Sequence, residues 1–139
     1  MGKINWGRVV LCGFLTGVVS GVLHAVALPL VGRDFMAALP GFHGHFPGTS
    51  AGMRTIVMIS PLVLGISIMW LYAAIRPRYG PGPKTAALAG FAVWFFGSWV
   101  DVIWAALGAV PFGALVGPLA ATLPAIIVAA VVGAWPYKE

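Results

Sequence analysis

Formal charges punctuate this chain at long intervals, and the stretches between them are apolar. None lies between Arg8 and Arg33, none between Arg54 and Arg76, and Asp101 alone interrupts the run from Lys84 to Lys138. A helix crossing a bilayer core needs roughly 18–20 consecutive apolar residues. The first two intervals each supply one such span, and the third, split near Pro111, supplies two. The pattern predicts an all-α integral membrane protein, a single domain over residues 1–139, with transmembrane helices at 9–31, 55–75, 85–110 and 112–135. The expected arrangement is an up-down bundle of these four helices. Residues 32–53 form the one long loop, in which Asp34 is placed to cap a short interfacial helix through Leu39.

Inside the spans, small residues recur at helical spacing. Gly13, Gly17 and Gly21 share one face of span one. Gly90, Gly97 and Gly108 share a stripe of span three with Trp94, Asp101 and Trp104, and Gly117 belongs to the small face of span four. Small residues let two helices approach closely in lipid, where packing drives association. These faces are therefore read as helix-packing surfaces, within the chain or in a homo-oligomer or larger membrane complex. Proline marks the places where helices bend: Pro29 is expected to end or kink span one, Pro61 to kink span two, and Pro118 and Pro124 to bend span four.

Composition sharpens this picture. The chain is 60% hydrophobic and 8% charged, with a mean hydropathy of +0.99, whereas soluble domains carry roughly 25% charged residues. The net charge of +5 does not point to nucleic acid, because the basic residues flank the spans and form no patch. Lys3, Arg8, Arg76, Arg78, Lys84 and Lys138 fall on one side of alternating spans, Arg33 and Arg54 on the other. The positive-inside rule then places both termini in the cytoplasm. Trp6, Trp70, Tyr72, Trp135 and Tyr137 lie at the depth of interfacial aromatics. The first apolar run exceeds the 7–15 residues of a signal-peptide core, so span one is expected as a retained anchor. Cys12 is the one cysteine and is read as a small packing residue.

Candidate chemistry centres on Asp101, the one charge inside a span. A carboxyl in hydrocarbon has to be partnered, wetted or protonated, which makes it a functional candidate. His24, in span one, lies at a similar level: by helical rise the two sit about 15 and 12 Å below the outer surface. Spans one and three are diagonal in a square bundle, so meeting requires a flattened bundle or an intervening water. Ser20, Ser98, Trp94 and Trp104 are possible neighbours. The acid and base can serve as a proton or ion site, or as a polar clasp between helices. His24 can also be an axial ligand to a haem or pigment, although no cofactor is indicated. His43 and His45 supply two ligands where a closed metal site wants four, so they are weak metal candidates. There is no nucleophile triad, phosphate-binding glycine loop or carboxylate pair, and an enzyme is not expected.

Gly13-Phe14 followed eleven residues on by His24 parallels Gly90-Phe91 followed by Asp101, as in a duplicated helical hairpin. Asn5-Trp6-Gly7-Arg8-Val9, the turn Arg76-Pro77-Arg78-Tyr79-Gly80-Pro81-Gly82-Pro83-Lys84 with the preceding Trp70-Leu71-Tyr72, and Gly133-Ala134-Trp135-Pro136-Tyr137 resemble small four-helix bacterial inner-membrane proteins of uncharacterised function. The resemblance implies a multi-pass protein of the bacterial cytoplasmic membrane and carries no activity. The leading functional expectation is a structural or accessory membrane protein associating through glycine-rich faces. The alternatives are a proton-linked channel or transporter using Asp101 and His24, and a haem- or pigment-binding subunit using His24.

Overall fold

The computed structural model describes residues 4–38 and 50–137, apart from the side chain of Met53. The described residues form five helices and no strand: α1 (Trp6–Val31), α2 (Arg33–Ala38), α3 (Ala51–Tyr79), α4 (Pro83–Ala106) and α5 (Phe112–Ala134). Four of them, α1, α3, α4 and α5, are long and apolar enough to cross a membrane. Leu11, Leu30, Met58 and Phe96 all point outward and are 70% or more exposed. An apolar surface of this kind suits lipid as solvent and is unfavourable in water.

Local chemistry sets the helix ends. The Asn5 side chain accepts from the Arg8 N–H at 3.2 Å, capping α1. Pro29 lies within α1, which runs on to Val31. A proline so near the end removes one ladder bond and does not stop the helix. Gly32 donates to the Leu28 carbonyl and accepts from Met36, so it holds the cap position of α2. Asp34, expected to be that cap, instead lies in the first turn, where its charge complements the positive helix end. The α3 helix passes through Pro77 and ends at Tyr79, beyond the expected Ile75. Its terminal carbonyls are held by Thr85, whose hydroxyl lies 2.7 Å from Gly80 O and 3.4 Å from Tyr79 O.

The α4 helix stops at Ala106, four residues before the expected Val110. Gly108 adopts φ of +79°; its N–H donates to the Ala105 carbonyl and that of Ala109 to the Trp104 carbonyl. This pair of bonds is a Schellman ending, with glycine in the left-handed position that other residues avoid. No side chain would meet a Cβ on Gly108, so this glycine terminates the helix and does not pack.

The four long helices form a ring in which α1 packs on α3 and α5, and α4 packs on α3 and α5. No contact joins α1 to α4, while α3 and α5 touch across the short diagonal. Neighbouring helices run antiparallel: Gly13 meets Ile66 while Gly17 meets Pro61, and Gly133 meets Cys12 while Gly117 meets Val31. The end that carries Ile4, Tyr137 and the α3–α4 turn is called the near end below, and the other the far end.

Packing differs sharply between the two ends. The near half is closed around Val9, Cys12, Ile68, Met69, Ala86, Ala89 and Ala130. Small residues make this possible. A Cβ on Gly65 would run into Gly13 O and Gly17 N, and one on Gly17 would come within 2.6 Å of Pro61 O. A Cβ on Gly90 would approach Ala130 at 3.0 Å, and one on Gly133 would strike the Thr16 hydroxyl. Beyond Gly90, α4 has no buried residue. Phe91, Phe95 and Trp99 turn outward there, stacked along the helix at 6.1 and 6.4 Å between centroids. The far half is therefore open on the α4 side.

Candidate functional site

Where α4 parts from the bundle, a cleft of about 330 Å³ runs from Ile126 at mid-height to Phe35 of α2 at the far end. Its walls are mostly aliphatic and aromatic, from Leu28, Leu64, Val93, Leu115 and Leu119 among others. Five lining residues carry polar atoms: His24 of α1, Trp94, Ser98 and Asp101 of α4, and Thr122 of α5. His24 and Asp101 thus line one space although their helices are diagonal and do not touch. No hydrogen bond or ion pair joins Asp101 to another described residue.

The histidine is held from its own helix. Its Nδ1 lies 2.8 Å from the Ser20 carbonyl oxygen and 3.4 Å from the Ser20 hydroxyl. A carbonyl accepts only, so Nδ1 carries the hydrogen, and Nε2 keeps the lone pair that can take a proton. Ser20 is 1% exposed and does not line the cleft; its part is to fix the imidazole. Trp94 Nε1 donates to the Thr122 hydroxyl at 3.1 Å, and that hydroxyl lies 3.3 Å from the Leu119 carbonyl. This bond ties α4 to α5 two turns, or about 10 Å, before the acid along α4. Asp101 is exposed at the cleft, five residues before the end of α4. That distance is about 8 Å along the helix, shallower than the earlier helix end implied. His24 is seven residues, or about 10 Å, from the end of α1, so the two remain at similar heights.

Of the residues expected around the acid, Trp104 is not brought in: it is exposed and lies outside the cleft. It follows Asp101 by three residues, but its ring lies on the exposed side of α4. Gly97, expected to pack, has nothing near its Cβ position and instead gives the cleft its floor beside Asp101. Gly21 makes an ordinary contact with Pro61. His43 and His45 lie outside the described residues, and among the described residues no group of three or more metal-ligating side chains occurs. Thr122 was not anticipated, yet the signal existed: it is the one side chain with a hydroxyl or charge in span four. Phe35 was hidden because it comes from the loop segment. Gly65 and Gly133 were not singled out by spacing; Gly65 makes the tightest approach to backbone, and Gly133 lies hard against the Thr16 hydroxyl.

No family model matches the chain, and neither a curated protein nor a solved structure matches it.

Proposed function

We propose that this chain is a small multi-pass protein of the bacterial cytoplasmic membrane, with both termini inside, that moves protons or a proton-coupled cation through the Asp101–His24 cleft. The observation that carries this reading is the convergence of an acid and a base from two diagonal helices on one cleft. An intramembrane carboxylate facing a cavity is the usual signature of an ion or proton path. Asp101 takes the charge, and His24 Nε2 is the second proton acceptor, oriented by Ser20. The closed near half, with Met69, Ala86 and Ala130 fully buried, supports a path entered from the far-half cleft and blocked on the terminal side. Transport then requires the near half to loosen. With both termini inside, the cleft faces outward.

The test is flux in reconstituted vesicles under an imposed pH gradient. Asp101→Asn keeps the size and hydrogen-bonding capacity of the side chain and removes its titratable charge. It is expected to fold normally and to lose pH-dependent flux at least tenfold. His24→Gln should show the same loss, and the double variant should be no worse than either single one. Undiminished flux in Asp101→Asn would sink the reading.

The second reading is an accessory protein, self-associated or docked on a larger membrane complex. Gly13, Gly17, Gly90 and Gly117 are occupied by contacts inside the chain, so such docking would use the outward ring ladder Phe91, Phe95 and Trp99. Wild-type vesicles without flux under any gradient, together with a stable oligomer broken by Phe95→Ala, would favour it.

A further inference from the structure

A cation entering the far-half cleft would find few ligands. Asp101 is the one lining residue with a formal charge. The Trp94 N–H is committed to Thr122, and the Thr122 hydroxyl in turn to the Leu119 carbonyl. His24 Nδ1 is committed to Ser20. The groups that no described residue engages are the Asp101 carboxylate, the Ser98 hydroxyl one turn before it, and the lone pair of His24 Nε2. A bare divalent ion takes about six or more oxygen ligands, and one carboxylate with one hydroxyl falls well short of that. All three free groups accept hydrogen bonds, which suits a cation that donates them. An ammonium brings N–H donors and no acceptor.

These acceptors stand at the shallow end of the cleft. Val93 lies eight residues, or about 12 Å, deeper along α4 than Asp101. Gly90 abuts Ile126 just beyond it, and Val93, Leu64 and Ile126 wall the deep end with Trp94. The one hydrogen-bonding group of these four side chains, the Trp94 N–H, is already used. The cleft thus has two ends of different chemistry, acceptors toward the far surface and an aliphatic and aromatic slot inward. Its volume of about 330 Å³ falls within the roughly 300–1,000 Å³ of small-molecule pockets. Phe35 lines the far end, and an aromatic face attracts an ammonium within about 6 Å.

We propose that the cation taken by this cleft is a small primary ammonium ion carrying an apolar, ring-sized body, with the ammonium at Asp101 and the body directed inward toward Val93 and Ile126. This rests on the transport reading for its role and gives that reading a substrate class. Burial of the body supplies affinity, and the single carboxylate selects for charge. The amine is a free solute and not a lipid headgroup, because a phospholipid amine brings a phosphate beside its ammonium and no arginine or lysine lines the cleft.

The experiment is calorimetric titration of the purified full chain in neutral detergent with phenethylammonium, methylammonium or phenethyl alcohol, each corrected for empty micelles. Phenethylammonium is expected to bind saturably, at least tenfold more tightly than methylammonium, which lacks the body, or phenethyl alcohol, which lacks the charge. Asp101→Asn should weaken it at least tenfold, whereas Asp34→Asn, an acid of α2 outside the cleft, should leave it within about twofold. Gly97→Leu fills the cleft floor, where nothing lies near the Cβ position, and leaves every charge in place. It should abolish binding too, and it decides the matter if Asp101→Asn does not fold. Equal affinity for methylammonium or for phenethyl alcohol would overturn the proposal, as would an Asp34→Asn loss as large as that of Asp101→Asn. Displacement of phenethylammonium by phosphatidylethanolamine and not by phosphatidylcholine would assign the site to a lipid headgroup and overturn the free-amine reading. Binding is measured without a gradient, so it fails separately from transport. Proton flux through Asp101 without phenethylammonium binding would overturn this substrate class alone; binding without flux would keep the ammonium site and sink transport.

Discussion

Gly97 and Gly108 stand eleven residues apart near the end of α4, and alanine should affect them in opposite directions. Gly108 holds φ of +79° in the turn that ends the helix, a conformation that costs an L-residue about 1–2 kcal/mol. Gly97 is inside the helix with open space at its Cβ position, and there alanine is better than glycine by about 0.5–1 kcal/mol. Reversible unfolding in mixed micelles should therefore show Gly108→Ala less stable than wild type and Gly97→Ala equal or more stable. A shared glycine stripe would make both substitutions harmful. The same scale separates the polar residues of the cleft. Ser20 works by holding His24, Thr122 by holding Trp94, and Asp101 is left to the cleft itself.

At the scale of elements, the α1–α3 contact depends on backbones that nearly touch. Gly65 fits between Gly13 and Gly17, and any Cβ there has to push the helices apart. Because the obstacle is backbone, it cannot swing aside as a side chain would. Gly65→Ala is expected to destabilise by about 1–3 kcal/mol, the range for overpacking. Gly113→Ala, at a helical position with nothing nearby, should be neutral or slightly stabilising. Equal stability of the two variants in detergent would remove the seam. The paired positions of α1 and α4 also behave alike. Gly13 and Gly90 each pack on the other helix of their hairpin, and eleven residues later His24 and Asp101 each line the cleft. A duplicated hairpin would produce that correspondence.

For the whole molecule, the contrast between a closed near half and an open far half predicts uneven local stability. Amides from Ala86 to Gly90 lie against the core, whereas those from Gly97 to Ala106 lie on a stretch with no buried side chain. Hydrogen exchange in detergent should protect the first group well beyond the second, since local opening follows packing. Uniform protection along α4 would contradict the splayed end. Orientation has its own test, on a Cys12→Ser background. An impermeant thiol reagent applied to intact cells should label Ser50→Cys and spare Arg78→Cys, given the basic bias toward the near end; the reverse pattern would invert the proposed topology.

Much of this was legible in the chain before any contact was known. Span number follows from uninterrupted apolar length, and the lone Asp101 identifies itself because a charge in hydrocarbon is expensive wherever its helix lies. Helical rise alone put His24 at a similar height. These are properties of contiguous segments, and a segment carries them by itself. Which face meets which neighbour is not such a property. Gly13 and Gly108 both look like packing glycines in sequence, but one abuts Ile66 and the other ends a helix. Only the tertiary structure decided that the small residues of the near half draw the helices shut while the bulky rings of α4 leave the far half open. That division lets diagonal helices share the Asp101–His24 cleft, and folding the α3–α4 turn back onto the end of α5 encloses Arg76. The physical reason is that enclosure is set by the sizes of residues on partner helices far away in the chain, and no local pattern records those partners.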